Sequence, residues 1–223
     1  MRNGPIRKRV SRTLPLREAA QPRRAAEADR GLVREIPVTP PNRAWVEDLL
    51  NLKRTPRTGW FRVGVDRPES VADHSFSAAL LAWRLARDGG GGLDAGKVLL
   101  MALLHDFHEA QMTDIPTPAK KHFPPEAIAG TEAAVIREQW GDDPASRELL
   151  RELEQGESAE AKLVWAVDHL EFLLQAIRYR RAGYRDTAPM FVRMKDGPAW
   201  THPITRPVLE DYLADLSDDP ETP

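Results

Sequence analysis

The 223-residue sequence contains no cysteine, and this absence restricts the chemistry available to the protein. Disulfide bonds, thiolate nucleophiles, iron–sulfur clusters and cysteine-bound zinc are all excluded. Any metal ion must therefore be held by histidine, aspartate and glutamate side chains. The six histidines are the first residues to consider as ligands.

Long apolar runs are absent as well. The longest run extends from Val98 to Leu104, whereas a helix needs about 20 apolar residues to cross a bilayer. The sequence also lacks an apolar region typical of a secretion signal near its start. We therefore expect a soluble protein of the cytoplasm that has no membrane partner.

The charge is distributed unevenly along the chain. Residues 1–40 contain ten Lys and Arg against four Asp and Glu, whereas residues 41–223 contain 22 against 30. The first segment has little hydrophobic periodicity and is predicted to be a basic, disordered extension, with an organellar transit peptide or weak nucleic-acid contact as alternatives. Residues 41–223 are predicted to form one acidic domain, for which we expect no nucleic-acid polymer as a partner.

Apolar residues recur at helical spacing throughout this domain, and no segment shows sustained period-two alternation. The first helix is expected to follow Asn42 as its N-cap. Further helices are predicted over Val71–Ala86, Lys97–Ala110, Ile128–Trp140, Ala145–Leu153, Glu160–Arg181 and Pro207–Leu216. The predicted fold class is all-α.

Four ionisable residues occupy positions where a helical core favours apolar side chains. His105 and Asp106 directly follow the longest apolar run. His74 lies among alanine and phenylalanine residues in a predicted helix, and Asp168 is flanked by valines and leucine. A buried carboxylate is normally neutralised, paired or bound to a metal. Two imidazoles and two carboxylates together predict one divalent ion of the group Mn, Co, Mg, Fe and Zn.

Each of these residues has an ordinary explanation when it is considered alone. A single histidine on an apolar helix face is more often a hydrogen-bonded core residue, and Asp168 alone could cap a helix or pair with an arginine. The ordered combination of His74, His105–Asp106 and Asp168 is much harder to obtain by chance. Four ligands on an octahedral ion leave two positions for water and a substrate oxygen, which is typical of metal-assisted hydrolysis.

Five segments resemble the HD-domain metal-dependent phosphohydrolases, and within them the YfbR-like 5'-deoxynucleotidases. The resemblance covers roughly residues 45–215. It rests on Leu52–Trp60 (LKRTPRTGW), Arg67–Ser75 (RPESVADHS), Ala102–Glu109 (ALLHDFHE), Thr113–Lys120 (TDIPTPAK) and Ala161–Asp168 (AKLVWAVD). One departure is Thr113, because the family pattern has a glycine before the aspartate.

The resemblance implies an all-α, HD-domain helical bundle with a metal site in its core. It also implies a homodimer that removes the 5'-phosphate from deoxyribonucleoside monophosphates. By position in the motifs, His74, His105, Asp106 and Asp168 correspond to the four metal ligands.

The resemblance assigns further roles around the substrate. Glu109 and Asp114 correspond to the acidic pair beside the phosphate, and Arg57 and Trp60 to the loop that holds phosphate and sugar. Phosphoester hydrolysis also calls for cations that balance the phosphate, for which Lys120 or its neighbour Lys121 is a candidate. Glu109 follows His105 by four residues, so on one continuous helix both side chains would face the same cavity. The alternative for Trp60 is a core position.

Other functions remain open from the sequence. The same site would suit hydrolysis of another nucleotide or phosphomonoester. A di-iron HD oxygenase would need two more histidine ligands between Asp106 and Asp168, where only His108 and His122 lie. A non-catalytic nucleotide-binding module is the third alternative.

Overall fold

The computed structural model describes residues 42–89 and 91–214, and the predicted basic extension over residues 1–40 lies outside them. The described residues form helices and no strand, apart from an isolated bridge between Pro56 and Ser70. The all-α prediction is confirmed. The α-helices are α1 (Arg43–Leu52), α2 (Val71–Asp88), α3 (Ala95–Leu104), α4 (Glu109–Met112), α5 (Thr117–Lys120), α6 (Pro125–Gln139), α7 (Pro144–Gln155), α8 (Ala159–Arg181), α9 (Ala188–Met194), α10 (Pro198–Thr201) and α11 (Arg206–Ala214).

Helix α8 forms the centre of the domain. It packs against α2, α3, α7 and α10, and it has buried side chains on nearly all of its faces, as expected for a central helix. The fully buried apolar residues of α8 include Leu163, Val167, Leu170, Leu173 and Ile177. In the part of the chain that the structure describes, no helix is both long and apolar enough to cross a membrane.

The N-terminus of α2 is fixed by a capping box. The Ser70 hydroxyl accepts a hydrogen bond from the backbone N–H of Asp73, and the Asp73 carboxylate accepts one from the backbone N–H of Ser70. Such a pair satisfies two donors that a helix end leaves unpaired. Because His74 lies in the first turn of α2, the cap also determines where this imidazole is placed.

The predicted continuous helix over Lys97–Ala110 is wrong, because α3 ends at Leu104 and α4 begins at Glu109. In a continuous helix the carbonyl of Ala102 would accept from the backbone N–H of Asp106; here it accepts from the His105 ring instead, at 2.8 Å. The backbone N–H groups of Phe107 and Glu109 donate to carbonyls three residues earlier. This tighter turn places His105 and Asp106 side by side at the end of α3.

Thr113, after α4, has an unusual backbone conformation. Its φ of 63° and ψ of 164° lie in a region that is populated essentially by glycine, and a side chain there costs about 1–3 kcal/mol. It is the one non-glycine residue with a positive φ among those described. The position where the family pattern has glycine is therefore strained by the threonine that occupies it here.

We expect the variant Thr113→Gly to be more stable than the wild type by about 1 kcal/mol, because strain relief exceeds the entropic cost of glycine. Urea unfolding followed by circular dichroism measures the change. The same substitution inside a helix, Thr131→Gly in α6, is the control and should lower stability by up to about 1 kcal/mol. Equal destabilisation by both variants would contradict the strain at Thr113.

Candidate metal centre and active site

Three helices bring the four predicted ligands together. His74 comes from α2, His105 and Asp106 from the end of α3, and Asp168 from the middle of α8. The Nε2 atom of His74 lies 3.0 Å from Asp168 Oδ1, and the Nε2 atom of His105 lies 3.1 Å from Asp106 Oδ2. The two Nε2 atoms are 3.4 Å apart. Ligand atoms of His74, His105 and Asp168 all lie within 4.8 Å of one another, and Asp106 Oδ2 is within 3.8 Å of both imidazoles.

The hydrogen bonds on the far side of each ring determine which nitrogen carries the proton. His105 Nδ1 donates to the carbonyl of Ala102 at 2.8 Å, and His74 Nδ1 donates to the carboxylate of Glu171 at 2.5 Å. In the neutral rings both Nε2 atoms therefore have lone pairs. These lone pairs face each other and two carboxylate oxygens, so the donor set fits a bound cation.

The electrostatics of the cluster also favour positive charge. Burial and the nearby Arg57 lower the pKa of His74, yet the carboxylates of Asp168 and Glu171 raise it to about 9. Burial opposes ionisation of Asp106 too, but His105 and Arg57 hold the pKa of Asp106 well below its usual range. The carboxylates therefore stay ionised, and a proton or a metal ion is needed to balance them.

Arg57 lies beside this cluster. Its Nη1 donates to Asp106 Oδ2 at 3.0 Å, and the pair is largely buried. A guanidinium has five N–H donors, so this pairing leaves donors for an anion in the neighbouring cavity.

Glu109 is buried near the same cluster, although it does not share a helix with His105 as predicted. Among the described residues, its Oε2 atom has no hydrogen-bond partner. Burial, followed by the charge of Asp106, raises the pKa of Glu109 to about 9. A buried carboxyl group with a raised pKa and an unpaired oxygen is typical of proton-transfer sites.

Asp114 connects the segment after α4 to the 3₁₀ turn Thr58–Val63. Its Oδ2 accepts from the Thr58 hydroxyl at 3.0 Å and from the backbone N–H of Gly59 at 3.4 Å. These contacts place Asp114 next to the segment that carries Arg57.

Trp60 is almost fully buried, at 1% exposure. Its ring stacks on Phe172 with centroids 4.7 Å apart, and its Nε1 donates to Glu69 at 3.0 Å. The core position considered for Trp60 is thus confirmed, although Trp60 is also among the residues that line the cavity. Its role in substrate binding stays a prediction.

A cavity of about 780 Å³ is lined by the predicted site residues except His74, which lies behind the other proposed ligands in contact with Asp168. Its size lies within the usual range for small-molecule sites. Lys120 lines it with a half-exposed side chain, 3.9 Å from Glu132. The other predicted residues in its wall are Arg57, Trp60, His105, Asp106, Glu109, Asp114 and Asp168.

Sequence reasoning missed several residues of this region. Glu171 contacts His74 directly. Glu69 lies near both residues: one carboxylate oxygen of Glu69, one of Glu171 and a ring nitrogen of His74 all lie within 4.8 Å of one another. Burial, followed by the charge of Glu171, raises the pKa of Glu69 to about 7. Glu171 had a detectable signal, since it is an acidic residue among leucines one turn after Asp168. His108 also lines the cavity.

Comparison with known proteins identifies a matching family and several similar proteins. Residues 49–196 match the HD domain family. The 5'-deoxynucleotidase HDDC2 of Homo sapiens is 38% identical over 132 residues, which are 57% of this chain and 63% of that protein. The 5'-deoxynucleotidase hdd1 of Schizosaccharomyces pombe is 30% identical over 179 residues, or 76% and 87% of the two chains. The match therefore spans less than two thirds of the human protein's length.

Solved structures share the fold. A conserved hypothetical protein from Pyrococcus furiosus superposes with a TM-score of 0.67 at 29% identity, over 77% of this chain and 98% of that one. The PH0347 protein from Pyrococcus horikoshii gives a TM-score of 0.61 at 36% identity, over 77% and 95%. By the family match over residues 49–196, by the relative matched over most of its length and by the helical architecture, this chain belongs to the HD-domain family.

Proposed function

We propose that the protein hydrolyses the 5'-phosphate of deoxyribonucleoside monophosphates, giving a deoxynucleoside and phosphate, with one divalent metal ion. The observation that carries the proposal is the convergence of two imidazoles and two carboxylates beside a cavity. His105, Asp106 and Asp168 of this cluster line the cavity together with Arg57 and Glu109. The names of the human and fission yeast relatives support the substrate class.

In this proposal His74, His105, Asp106 and Asp168 hold the metal, which is Mn, Co, Mg, Fe or Zn. When bound, such an ion stabilises charge on phosphoryl oxygens and makes an attached water more acidic. The two carboxylates balance its double positive charge. The imidazole rings need no rearrangement, because their Nδ1 hydrogen bonds already direct both Nε2 atoms at the cluster, where the metal ion would replace a proton.

We assign phosphate binding to Arg57 and Lys120. The Arg57 guanidinium keeps Asp106 as a partner and presents its other donors to the phosphate, where charge-assisted hydrogen bonds are strong. Lys120, at the end of α5 and half exposed, adds a second positive charge. Trp60 is assigned to the wall against which the sugar lies.

Proton transfer is assigned to the two acidic residues outside the ligand set. Glu109 has an unpaired oxygen in the buried part of the site, which suits a group that orients water or exchanges a proton with it. Asp114, held by Thr58 and Gly59, is assigned to the sugar hydroxyl or the leaving oxygen. Both residues act beside the phosphate without themselves forming a covalent bond to it.

Phosphate release from deoxy- and ribonucleoside mono-, di- and triphosphates, each with Mg²⁺, Mn²⁺ and Co²⁺, tests the function. We expect turnover of the deoxynucleoside monophosphates only when metal is present. Asp168→Asn should abolish it, because the variant loses a charged ligand. Asp94→Asn is the matched control, since asparagine also caps helix α3. Substantial activity after exhaustive chelation would refute the proposal.

The variant Glu109→Gln tests proton transfer at nearly constant shape. We expect kcat to fall by about 10²–10⁴-fold, the usual contribution of a positioned acid or base, while KM and metal content change little. Steady-state kinetics with metal analysis measures both, and Glu154→Gln on the exposed side of α7 is the control. A kcat within threefold of the wild type would exclude Glu109 from the reaction.

We also propose that the protein is a homodimer, as the family resemblance implies, and that it acts in the cytoplasm. Two packed helices expose apolar side chains at helical spacing, and these are Phe76 and Leu80 on α2 and Leu100 and Leu103 on α3. Patches of exposed apolar side chains often mark the places where proteins contact each other. This pattern supports a second copy of the chain at the α2–α3 surface.

The double variant Phe76→Glu/Leu80→Glu should halve the molar mass in solution, because buried charges would face each other across the interface. Light scattering coupled to size exclusion measures the mass. Leu49→Glu/Leu50→Glu, a comparable pair of exposed leucines on α1, should leave the dimer intact. A wild-type chain that is monomeric at all concentrations would disprove the dimer.

A further inference from the structure

Glu171 is a buried carboxylate outside the predicted ligand set. It lies on α8, three residues after Asp168, and its side chain is 8% exposed. Its Oε2 accepts the hydrogen bond from His74 Nδ1. One turn of α8 therefore places Asp168 against the Nε2 side of His74 and Glu171 against the Nδ1 side of the same ring.

The two imidazoles of the centre are supported differently. His105 donates its Nδ1 proton to the neutral carbonyl of Ala102, whereas His74 donates to a charged carboxylate. A carboxylate acceptor increases the basicity of the opposite ring nitrogen more than a carbonyl does, and such outer contacts often change metal affinity by 10–100-fold. His74 is thus the stronger nitrogen donor of the pair.

A role for Glu171 in packing alone does not account for its surroundings. The nearby carboxylate of Glu69 lies within 4.8 Å in the same buried cluster, and placing two carboxylates together in a core is unfavourable. Neighbouring positions on α8, Leu170 and Leu173, are fully buried and apolar. A leucine would therefore be sufficient for packing at this position. The contact with His74 explains why a carboxylate is present instead.

We propose that Glu171 is a positioning residue for the metal centre: it fixes the tautomer and orientation of His74 and strengthens that ring as a ligand. This inference rests on the metal site of the proposed function. Glu171 does not touch the metal or the substrate, and it acts through His74.

Titration of the purified, metal-free protein with Co²⁺ tests the inference, because visible absorption reports both affinity and ligand geometry. Glu171→Gln keeps a side-chain oxygen acceptor for His74 and removes the charge, whereas Glu171→Leu removes both. We expect Co²⁺ affinity to fall about 10-fold in the first variant and about 100-fold in the second. The spectrum of the second should also change.

Thermal unfolding with and without Co²⁺ separates positioning from packing. If Glu171 positions His74, the increase in melting temperature caused by the metal is smaller in both variants, because this increase depends on metal affinity. The control is Glu152→Gln, whose carboxylate on α7 pairs with Lys97 on α3. This variant should bind Co²⁺ as the wild type does. If Glu171→Leu does not fold, the Co²⁺ affinity of the nearly isosteric Glu171→Gln still tests the role of Glu171.

Affinity within twofold of the wild type in Glu171→Gln, with an unchanged spectrum, would overturn the inference. The outcome is independent of the substrate. A wild type that binds Co²⁺ but hydrolyses no nucleotide would refute the proposed function and leave the role of Glu171 standing. A wild type that binds no Co²⁺ would refute both.

Discussion

The balance of charge in the buried space between α2, α3 and α8 is the constraint on which the rest of the structure depends. Asp106 and Asp168 are ionised there, away from water, and the Nε2 atoms of the two imidazoles face them, so a proton or a metal ion is needed between these groups. Such a cluster is unfavourable unless its members are held at distances at which a cation can bridge them. Rigid helices supply those distances: α8 is buried on nearly all sides, and the capped first turn of α2 fixes His74.

The same balance explains how an acidic domain can bind an anion. Acidic residues outnumber basic ones over residues 41–223. At the site, positive charge is concentrated on a few side chains, among them Arg57 and Lys120. Arg57 is paired with Asp106 and has further N–H donors at the cavity, which the proposed phosphate would contact. The attraction for the proposed nucleotide substrate would then be local to the cavity, and the overall charge of the chain would contribute little to it.

Much of this architecture was predictable, because hydrophobic spacing determines long helices. The predictions for α2 and α8 agree with the structure to within two residues. Spacing alone could not predict the break after Leu104, since it depends on a ring nitrogen that replaces a backbone donor at Ala102. The four proposed ligands were recognisable as polar residues at apolar positions. Glu69 was not, because it lies in an irregular segment and its proximity to His74 arises only from the tertiary fold.

The short stretch of α8 from Asp168 to Phe172 performs three tasks within little more than one helical turn. It contributes a proposed ligand, the support of another ligand, and an aromatic ring in the cavity wall. Other parts of the cavity wall come from α5 and from the 3₁₀ turn Arg185–Thr187, which carry none of the proposed ligands. A substitution in those segments could therefore change the shape of the cavity while every proposed metal ligand, and the helices that hold the ligands, stay unchanged.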